Sequence, residues 1–191
     1  MQVRYLELSV KDDELRSKLL GAVDRVLQHG QVVLGPEVEE FERRVADYCD
    51  RGQCIGLSSG SDALYVALRA LDIGPGDEII TTPMSWVATL NAIVLNGATP
   101  VFVDIGPDLN INAELISEAI TPRTKAIVPV HYTGRICAID RILEIAEERG
   151  LAVIEDAAQA FGAQAADGRK AGSMGAIACF SMNAMKVFHS Y

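Results

Sequence analysis

The sequence predicts an α/β protein, specifically a three-layer α/β/α sandwich with a mostly parallel sheet in the middle. Short continuous runs of Val and Ile, which are typical of strands buried on both faces, alternate with longer segments of helical periodicity. The chain has 191 residues, of which 49% are apolar. A compact chain of this length buries about 70% of its unfolded surface, so one large core needs no disulfide or metal.

Two amphipathic helices are predicted before the alternation begins. Residues 12–29 carry apolar side chains at helical spacing, and Gly30 suits the end of that helix. Pro36 suits the first turn of a second helix, whose apolar spacing continues to about Cys49.

The remainder of the chain alternates predicted strands with predicted helices. Apolar runs predict strands at residues 54–58, 78–81, 100–104, 125–130, 152–156 and 176–180. Helical periodicity predicts helices at residues 61–71, 85–95, 112–119 and 138–149. The alternation still runs at Tyr191, so we expect the chain to be a fragment of a longer protein.

Charge and cysteine usage narrow the classes of function. With 17 Lys and Arg against 26 Asp and Glu, the net charge of −9 argues against nucleic acid or an anionic membrane as partner. The four cysteines lack C-x-x-C spacing, which predicts free thiols in a reducing cytosol and neither a metal site nor a disulfide framework. The N-terminus lacks the apolar core of a signal peptide, and the apolar stretch at residues 87–103 is too interrupted to span a membrane.

Small residues follow the first predicted strand. The turn at residues 58–63 leads into a helix, and free amides at a helix N-terminus bind phosphate without any net charge. An ordinary helix N-cap explains the same residues. The chain has neither a Walker loop nor a G-x-G-x-x-G fingerprint, which argues against a nucleotide-binding loop and a nicotinamide oxidoreductase.

Three further candidates follow later strands. Trp86 can stack on a planar ligand, Asp156 ends an apolar strand and suits a cationic ring nitrogen, and Gln159 lies one helical turn beyond it. Taken singly, a lone tryptophan such as Trp86 is more often a core residue, and Asp156 is equally explained as a helix cap.

Lys186 follows the last predicted strand. A desolvated lysine becomes nucleophilic, whereas a lysine that reaches solvent does not. Together, a phosphate seat, a stacking ring, a carboxylate for a ring nitrogen and a reactive amine meet the requirements of pyridoxal phosphate.

The same residues resemble a known family. The chain is similar to the DegT/DnrJ/EryC1/StrS sugar aminotransferases, which belong to the aspartate-aminotransferase superfamily of fold type I. The stretches that carry the resemblance are VLGPEVEEF at 33–41, SGSDAL at 59–64, DEIITTP at 77–83, WVATLNA at 86–92, PVH at 129–131, EDAAQ at 155–159 and FSMNAMK at 180–186.

The resemblance implies a role for each candidate. Lys186 would hold pyridoxal 5'-phosphate covalently and move the proton, and Asp156 would keep the ring nitrogen protonated. Gln159 would lie near the ring hydroxyl, and Trp86 would stack on the ring. The phosphate would be held by the backbone amides of Ser61 and Asp62 and by the hydroxyl of Ser181. His131 stays open between a packing role and a place in the site.

The resemblance also implies partners and extent. We expect amino transfer, with glutamate as donor, to a nucleotide-linked keto sugar in a cytoplasmic homodimer. Residues 1–191 would form the N-terminal segment and the cofactor-binding large domain, with a small C-terminal domain absent. Such a fragment alone is expected to associate and to lack turnover. The alternatives are a regulatory or sensing protein on this fold and a sugar dehydratase, which has His where this chain has Lys186.

Overall fold

The computed structural model describes residues 7–190, and the chain divides into two units, Met1–Gly56 and Leu57–Tyr191. In the first unit, helix α1 spans Asp13–His29 and helix α2 spans Pro36–Tyr48, as predicted. The Asp12 carboxylate accepts the Leu15 amide at 2.6 Å and so caps α1. Gly30 ends α1 with φ 72°, a left-handed conformation that glycine adopts without strain.

The predicted strand at residues 54–58 is wrong. These residues form no strand, and the Ile55 side chain is 73% exposed. A strand needs a neighbouring strand for its amides and carbonyls, but the Gly56 amide donates instead to the Glu42 carboxylate at 2.6 Å. An apolar run in a sequence cannot reveal whether such a neighbour is present.

The second unit is built on a five-stranded sheet whose neighbouring strands are all parallel, in the order β2-β1-β3-β4-β5. The strands are β1 (Glu78–Thr81), β2 (Thr99–Phe102), β3 (Thr124–Val128), β4 (Ala152–Asp156) and β5 (Ile177–Cys179). The helices are α3 (Gly60–Ala70), α4 (Val87–Leu95), α5 (Ala113–Ala119) and α6 (Ile139–Arg149), with a short 3-10 helix at Tyr132–Gly134. Each corresponds to a predicted element, apart from that short helix and small shifts at the ends.

Alternating residues of the strands face two separate cores. Ile79 and Ile154 pack with the helices α3 and α4 on one face of the sheet. Ile80 and Val153 pack with α5 and α6 on the other face. Burial of both faces explains why the strands read as continuous apolar runs, and the predicted three-layer α/β/α sandwich is confirmed.

None of the described helices is both long and apolar enough to cross a membrane.

Candidate active site

Asp156 lies at the carboxyl end of β4 and is 4% exposed. Two backbone hydrogen bonds join Asp156 to the segment that follows β3. The Asp156 amide donates to the Pro129 carbonyl at 2.9 Å, and the Asp156 carbonyl accepts the His131 amide at 3.1 Å. Side chains alternate along a strand, so Asp156 faces the same side as Ile154, which is the side of α3 and α4. The carboxylate therefore sits between the sheet and α4.

Burial dominates the electrostatics of this carboxylate. It raises the pKa of Asp156, and it outweighs the hydrogen bonds from Thr89 and the Ala158 amide that lower it. The Lys186 ammonium also lowers the pKa of Asp156, which places that charge within electrostatic reach of the carboxylate. A buried carboxylate in this state is stabilised when a cationic ligand group binds beside it.

The start of α4 reaches Asp156 through hydroxyl groups. Thr89 Oγ1 donates to Asp156 Oδ2 at 2.7 Å, and Ser85 Oγ lies 2.8 Å from Thr89 Oγ1. Trp86 stands between these two residues at the N-cap of α4, with its side chain 70% exposed. An exposed indole is available for stacking on a planar ligand, whereas a core tryptophan is not.

Lys186 lies in a half-buried loop that follows β5. The Lys186 amide donates to the Asn183 carbonyl at 2.8 Å, and its carbonyl accepts from the His189 side chain at 2.8 Å. Phe188 stacks on Phe161 with ring centroids 3.8 Å apart, which ties the loop to the segment after β4. The loop is therefore held on both sides of the lysine.

The N-terminus of α3 is in close contact with the segment that leads to Lys186. A Cβ atom placed on Gly60 would lie 2.7 Å from Ser181 Cβ and 3.0 Å from the Phe180 carbonyl oxygen. Only glycine allows this approach. The contact brings Ser181 next to the first residue of α3, which precedes Ser61 and Asp62, so three of the predicted phosphate-binding residues lie on neighbouring segments.

The amides at this terminus are not all equivalent. The first-turn amides of an α-helix have no intrahelical acceptor, which leaves those of Gly60 and Ser61 suited to an anion. The Asp62 amide instead donates to the Ser59 hydroxyl at 3.1 Å, and the Ser58 hydroxyl binds the Asp62 carboxylate. A phosphate at the Asp62 amide requires the Ser59 hydroxyl to turn away.

Replacing Gly60 by alanine tests this close approach. The added Cβ must displace the Ser181 segment, and overpacking of this kind lowers the free energy of unfolding by about 1–3 kcal/mol. Gly74 is the matched control, because a Cβ there meets only the Asn96 carbonyl oxygen at 3.8 Å. Urea unfolding should show the loss in Gly60→Ala and not in Gly74→Ala. Equal stability of the two variants would show that α3 and the Ser181 segment do not touch.

The Gln159 side chain is oriented by a hydrogen bond from the backbone of Thr133. Thr133 has φ 56°, a left-handed conformation that is unusual for a β-branched residue, and its amide donates to Gln159 Oε1 at 3.1 Å. Since Oε1 must accept this bond, the Nε2 group is the end of the Gln159 amide left to donate to a ligand. A donor suits the ring hydroxyl oxygen that the resemblance assigns to this residue.

His131 is fully buried and pairs with Glu155. Its Nδ1 accepts the Cys137 amide at 3.3 Å, so its Nε2 carries the proton and donates to Glu155 Oε2 at 2.9 Å. Burial raises the pKa of Glu155, but the bonds from His131 and from the Gly175 and Gly172 amides outweigh burial and lower it. This geometry supports the packing role for His131.

Sequence reasoning does not single out Thr89 and Glu155, although both hold the site in place. Thr89 is the one hydroxyl residue within α4, and a buried hydroxyl in a mostly apolar helix is the signal that could have identified it. Glu155 is a fully buried acid next to Asp156, but its partners lie far away in the chain. Among residues 7–190, no cluster of three or more potential metal ligands occurs.

Comparisons with known proteins identify relatives of this chain. The chain is 42% identical over 190 residues to the UDP-2-acetamido-2-deoxy-3-oxo-D-glucuronate aminotransferase of Pseudomonas aeruginosa, and the match covers 99% of this chain and 53% of that protein. It is 40% identical to a pleiotropic regulatory protein of Geobacillus stearothermophilus, with 100% of this chain and 51% of that protein covered. The chain thus spans about half the length of the curated relatives that it matches.

A solved structure gives the same result for the fold. The crystal structure of DesV from S. venezuelae superimposes with a TM-score of 0.95 at 42% identity, covering 99% of this chain and 51% of DesV. The sequence model described as the DegT/DnrJ/EryC1/StrS aminotransferase family matches residues 13–191. The chain therefore belongs to the DegT/DnrJ/EryC1/StrS aminotransferase family.

Proposed function

We propose that this chain carries the cofactor site of a pyridoxal-phosphate-dependent aminotransferase, which transfers an amino group from glutamate to a nucleotide-linked keto sugar. The observation that carries the proposal is the buried Asp156 carboxylate with its raised pKa, which lies within electrostatic reach of Lys186. The name of the Pseudomonas aeruginosa relative supports the substrate class, since it specifies a UDP-linked 3-oxo sugar.

The residues fit pyridoxal phosphate at both of its charged ends. At one end, the absence of a side chain on Gly60 lets Ser181 approach the N-terminus of α3, so that a hydroxyl residue and free first-turn amides lie together and suit a phosphate. At the other end, Asp156 has hydrogen bonds from Thr89 and the Ala158 amide but retains lone pairs for a ring N–H. The exposed indole of Trp86 and the donor group of Gln159 supply a ring platform and a partner for the ring hydroxyl.

When bound, pyridoxal phosphate supplies an electron sink for the substrate carbon that loses or gains a proton. Asp156 strengthens that sink, because its negative charge keeps a proton on the ring nitrogen. Lys186 Nζ anchors the cofactor covalently and afterwards carries the proton from one carbon to the other. The Ser181 hydroxyl and the first-turn amides of α3 fix the phosphate, so that the ring stays beside both residues.

The proposal includes a cytoplasmic location and a homodimeric assembly, which the resemblance implies. It favours turnover over a regulatory role, although one relative is named a regulatory protein. A sensor without turnover does not need a lysine for proton transfer, yet this chain has Lys186 together with Asp156 and Gln159. The same lysine argues against a dehydratase.

Amino transfer by the full-length protein tests the proposal. The enzyme should convert glutamate to 2-oxoglutarate only when a nucleotide-linked keto sugar from a panel of UDP- and dTDP-linked 3-keto and 4-keto sugars is added. Free keto sugars serve as the control and should react poorly. Binding of pyridoxal phosphate without turnover on any member of the panel would favour the regulatory role.

A further inference from the structure

We propose that Ser85 and Thr89 are positioning residues for Asp156, forming a hydroxyl relay that holds the carboxylate with one lone pair turned toward the cationic ring nitrogen of the cofactor. The inference rests on the proposed function, since it assigns Asp156 to that nitrogen. The contacts that carry it are the 2.7 Å bond from Thr89 Oγ1 to Asp156 Oδ2 and the 2.8 Å bond between Ser85 Oγ and Thr89 Oγ1.

The chemistry of the groups sets the direction of the relay. An ionised carboxylate can only accept hydrogen bonds, so the single hydroxyl proton of Thr89 points to Asp156. The Thr89 oxygen is then left as an acceptor, and the proton of the second bond must come from Ser85. The relay therefore donates from Ser85 through Thr89 to Asp156, and each bond polarises the next in the same sense.

The relay also accounts for the orientation of the carboxylate. Oδ2 accepts from Thr89, and Oδ1 accepts the Ala158 amide at 3.2 Å. A carboxylate offers about four lone-pair sites, so one donor on each oxygen fixes the plane of the group and leaves room for a third donor. Asp156 is thereby held ready for one more charged partner.

Electrostatics explain why a neutral donor is useful at this position. Burial raises the pKa of Asp156, and the Thr89 bond is the largest of the effects that lower it. The other charged group that acts on Asp156 is Lys186, which lowers its pKa, and the Cys179 thiol has its own pKa raised to about 12 by burial and by Asp156. Thr89 counteracts burial without adding a cation that would compete with the ring nitrogen.

The relay connects the carboxylate to the stacking residue as well. Ser85 and Thr89 flank Trp86 at the start of α4, and Trp86 itself makes no side-chain cap. The bond from Thr89 therefore joins the helical turn that carries the indole to the carboxylate. Through this one helical turn, Asp156 would hold the edge of the cofactor ring and Trp86 would hold its face.

Thr89→Val keeps the shape of the side chain and removes the hydroxyl, and Thr89→Ser restores it. The matched control is Thr81→Val, which removes a buried hydroxyl from strand β1, where Thr81 Oγ1 donates to the Val128 carbonyl at 2.8 Å. The first measurement is a pH titration of Asp156 in full-length protein freed of cofactor. The infrared band of the protonated Asp156 carboxyl reports its ionisation. Subtraction of the Asp156→Asn spectrum assigns that band.

We expect Thr89→Val to shift the Asp156 titration to higher pH, whereas Thr89→Ser and Thr81→Val leave it in place. Ser85→Ala should shift it in the same direction by a smaller amount, and this half-buried site gives a second test if Thr89→Val does not fold. An unchanged titration in Thr89→Val, or in Ser85→Ala if that variant is used, would overturn the relay. So would an equal shift in Thr81→Val.

Binding of pyridoxal phosphate is the second measurement. Loss of a hydrogen bond to a charged group should weaken binding by about ten-fold or more in Thr89→Val, with Thr81→Val unchanged. Equal affinity in Thr89→Val and wild type would contradict the positioning role. If the wild type does not bind pyridoxal phosphate, the proposed function fails and the assignment of Asp156 to a ring nitrogen fails with it, whatever the infrared titration shows.

Discussion

Replacing Lys186 by alanine is expected to lower the rate of amino transfer by about 10²- to 10⁴-fold, the usual contribution of a positioned proton-transfer group. The structure places this lysine in a loop held on both sides, within electrostatic reach of Asp156. The amine cannot be replaced by a neighbouring group without moving that loop. Steady-state rates with glutamate and a keto sugar measure the effect.

Lys125→Ala is the control for this prediction, because Lys125 is an exposed residue of β3. Its rate should equal that of the wild type. The account is wrong about Lys186 if Lys186→Ala keeps wild-type turnover. It is also wrong if Lys186→Ala lowers the rate and added methylamine, a free amine that can stand in for the missing side chain, does not restore any of it.

Asp156→Asn is expected to reduce turnover by about 10² to 10⁴, several kcal/mol in the transition state at 1.36 kcal/mol per ten-fold. The amide matches the size of the carboxylate but cannot balance a protonated ring nitrogen. We expect the protein to stay folded, because Asn can still bond with Thr89 and the Ala158 amide. Near wild-type turnover in this variant would show that another group holds the ring nitrogen.

Asp156→Asn lowers turnover, but it is expected to raise the free energy of unfolding of the cofactor-free protein. Because the folded-state pKa of Asp156 is raised, ionisation of this residue destabilises the fold. That cost is absent at low pH, grows as the pH rises from the ordinary aspartate pKa through the raised one, and is constant above it. Asp156→Asn should therefore be more stable than wild type at neutral pH and no more stable in acid, as measured by urea unfolding.

The helices and most strands could be predicted from the sequence because their patterns are local. Asp12 and Gly30 mark the ends of α1, and the apolar runs within β3 and β4 reflect burial on both faces of the sheet. The strand at residues 54–58 could not be judged in this way. A strand depends on a partner elsewhere in the chain, and apolar content says nothing about that partner.

The candidate site was predictable for the residues at strand ends and not for those that orient them. Asp156 and Lys186 follow apolar runs, so their positions at one edge of the sheet can be inferred. The contacts of Thr89 with Asp156, and of Thr133 with Gln159, join residues 67 and 26 positions apart. The contact at Gly60 likewise depends on a tertiary approach that no spacing rule describes.

Borohydride reduction in the presence of pyridoxal phosphate tests the central claim most directly. The reagent makes the link between the cofactor and a lysine amine permanent, and a peptide map then locates it. The account predicts a single labelled peptide that contains Lys186, and no specific label in Lys186→Ala. A label on another lysine such as Lys170, or no label in protein that transfers amino groups, would contradict it.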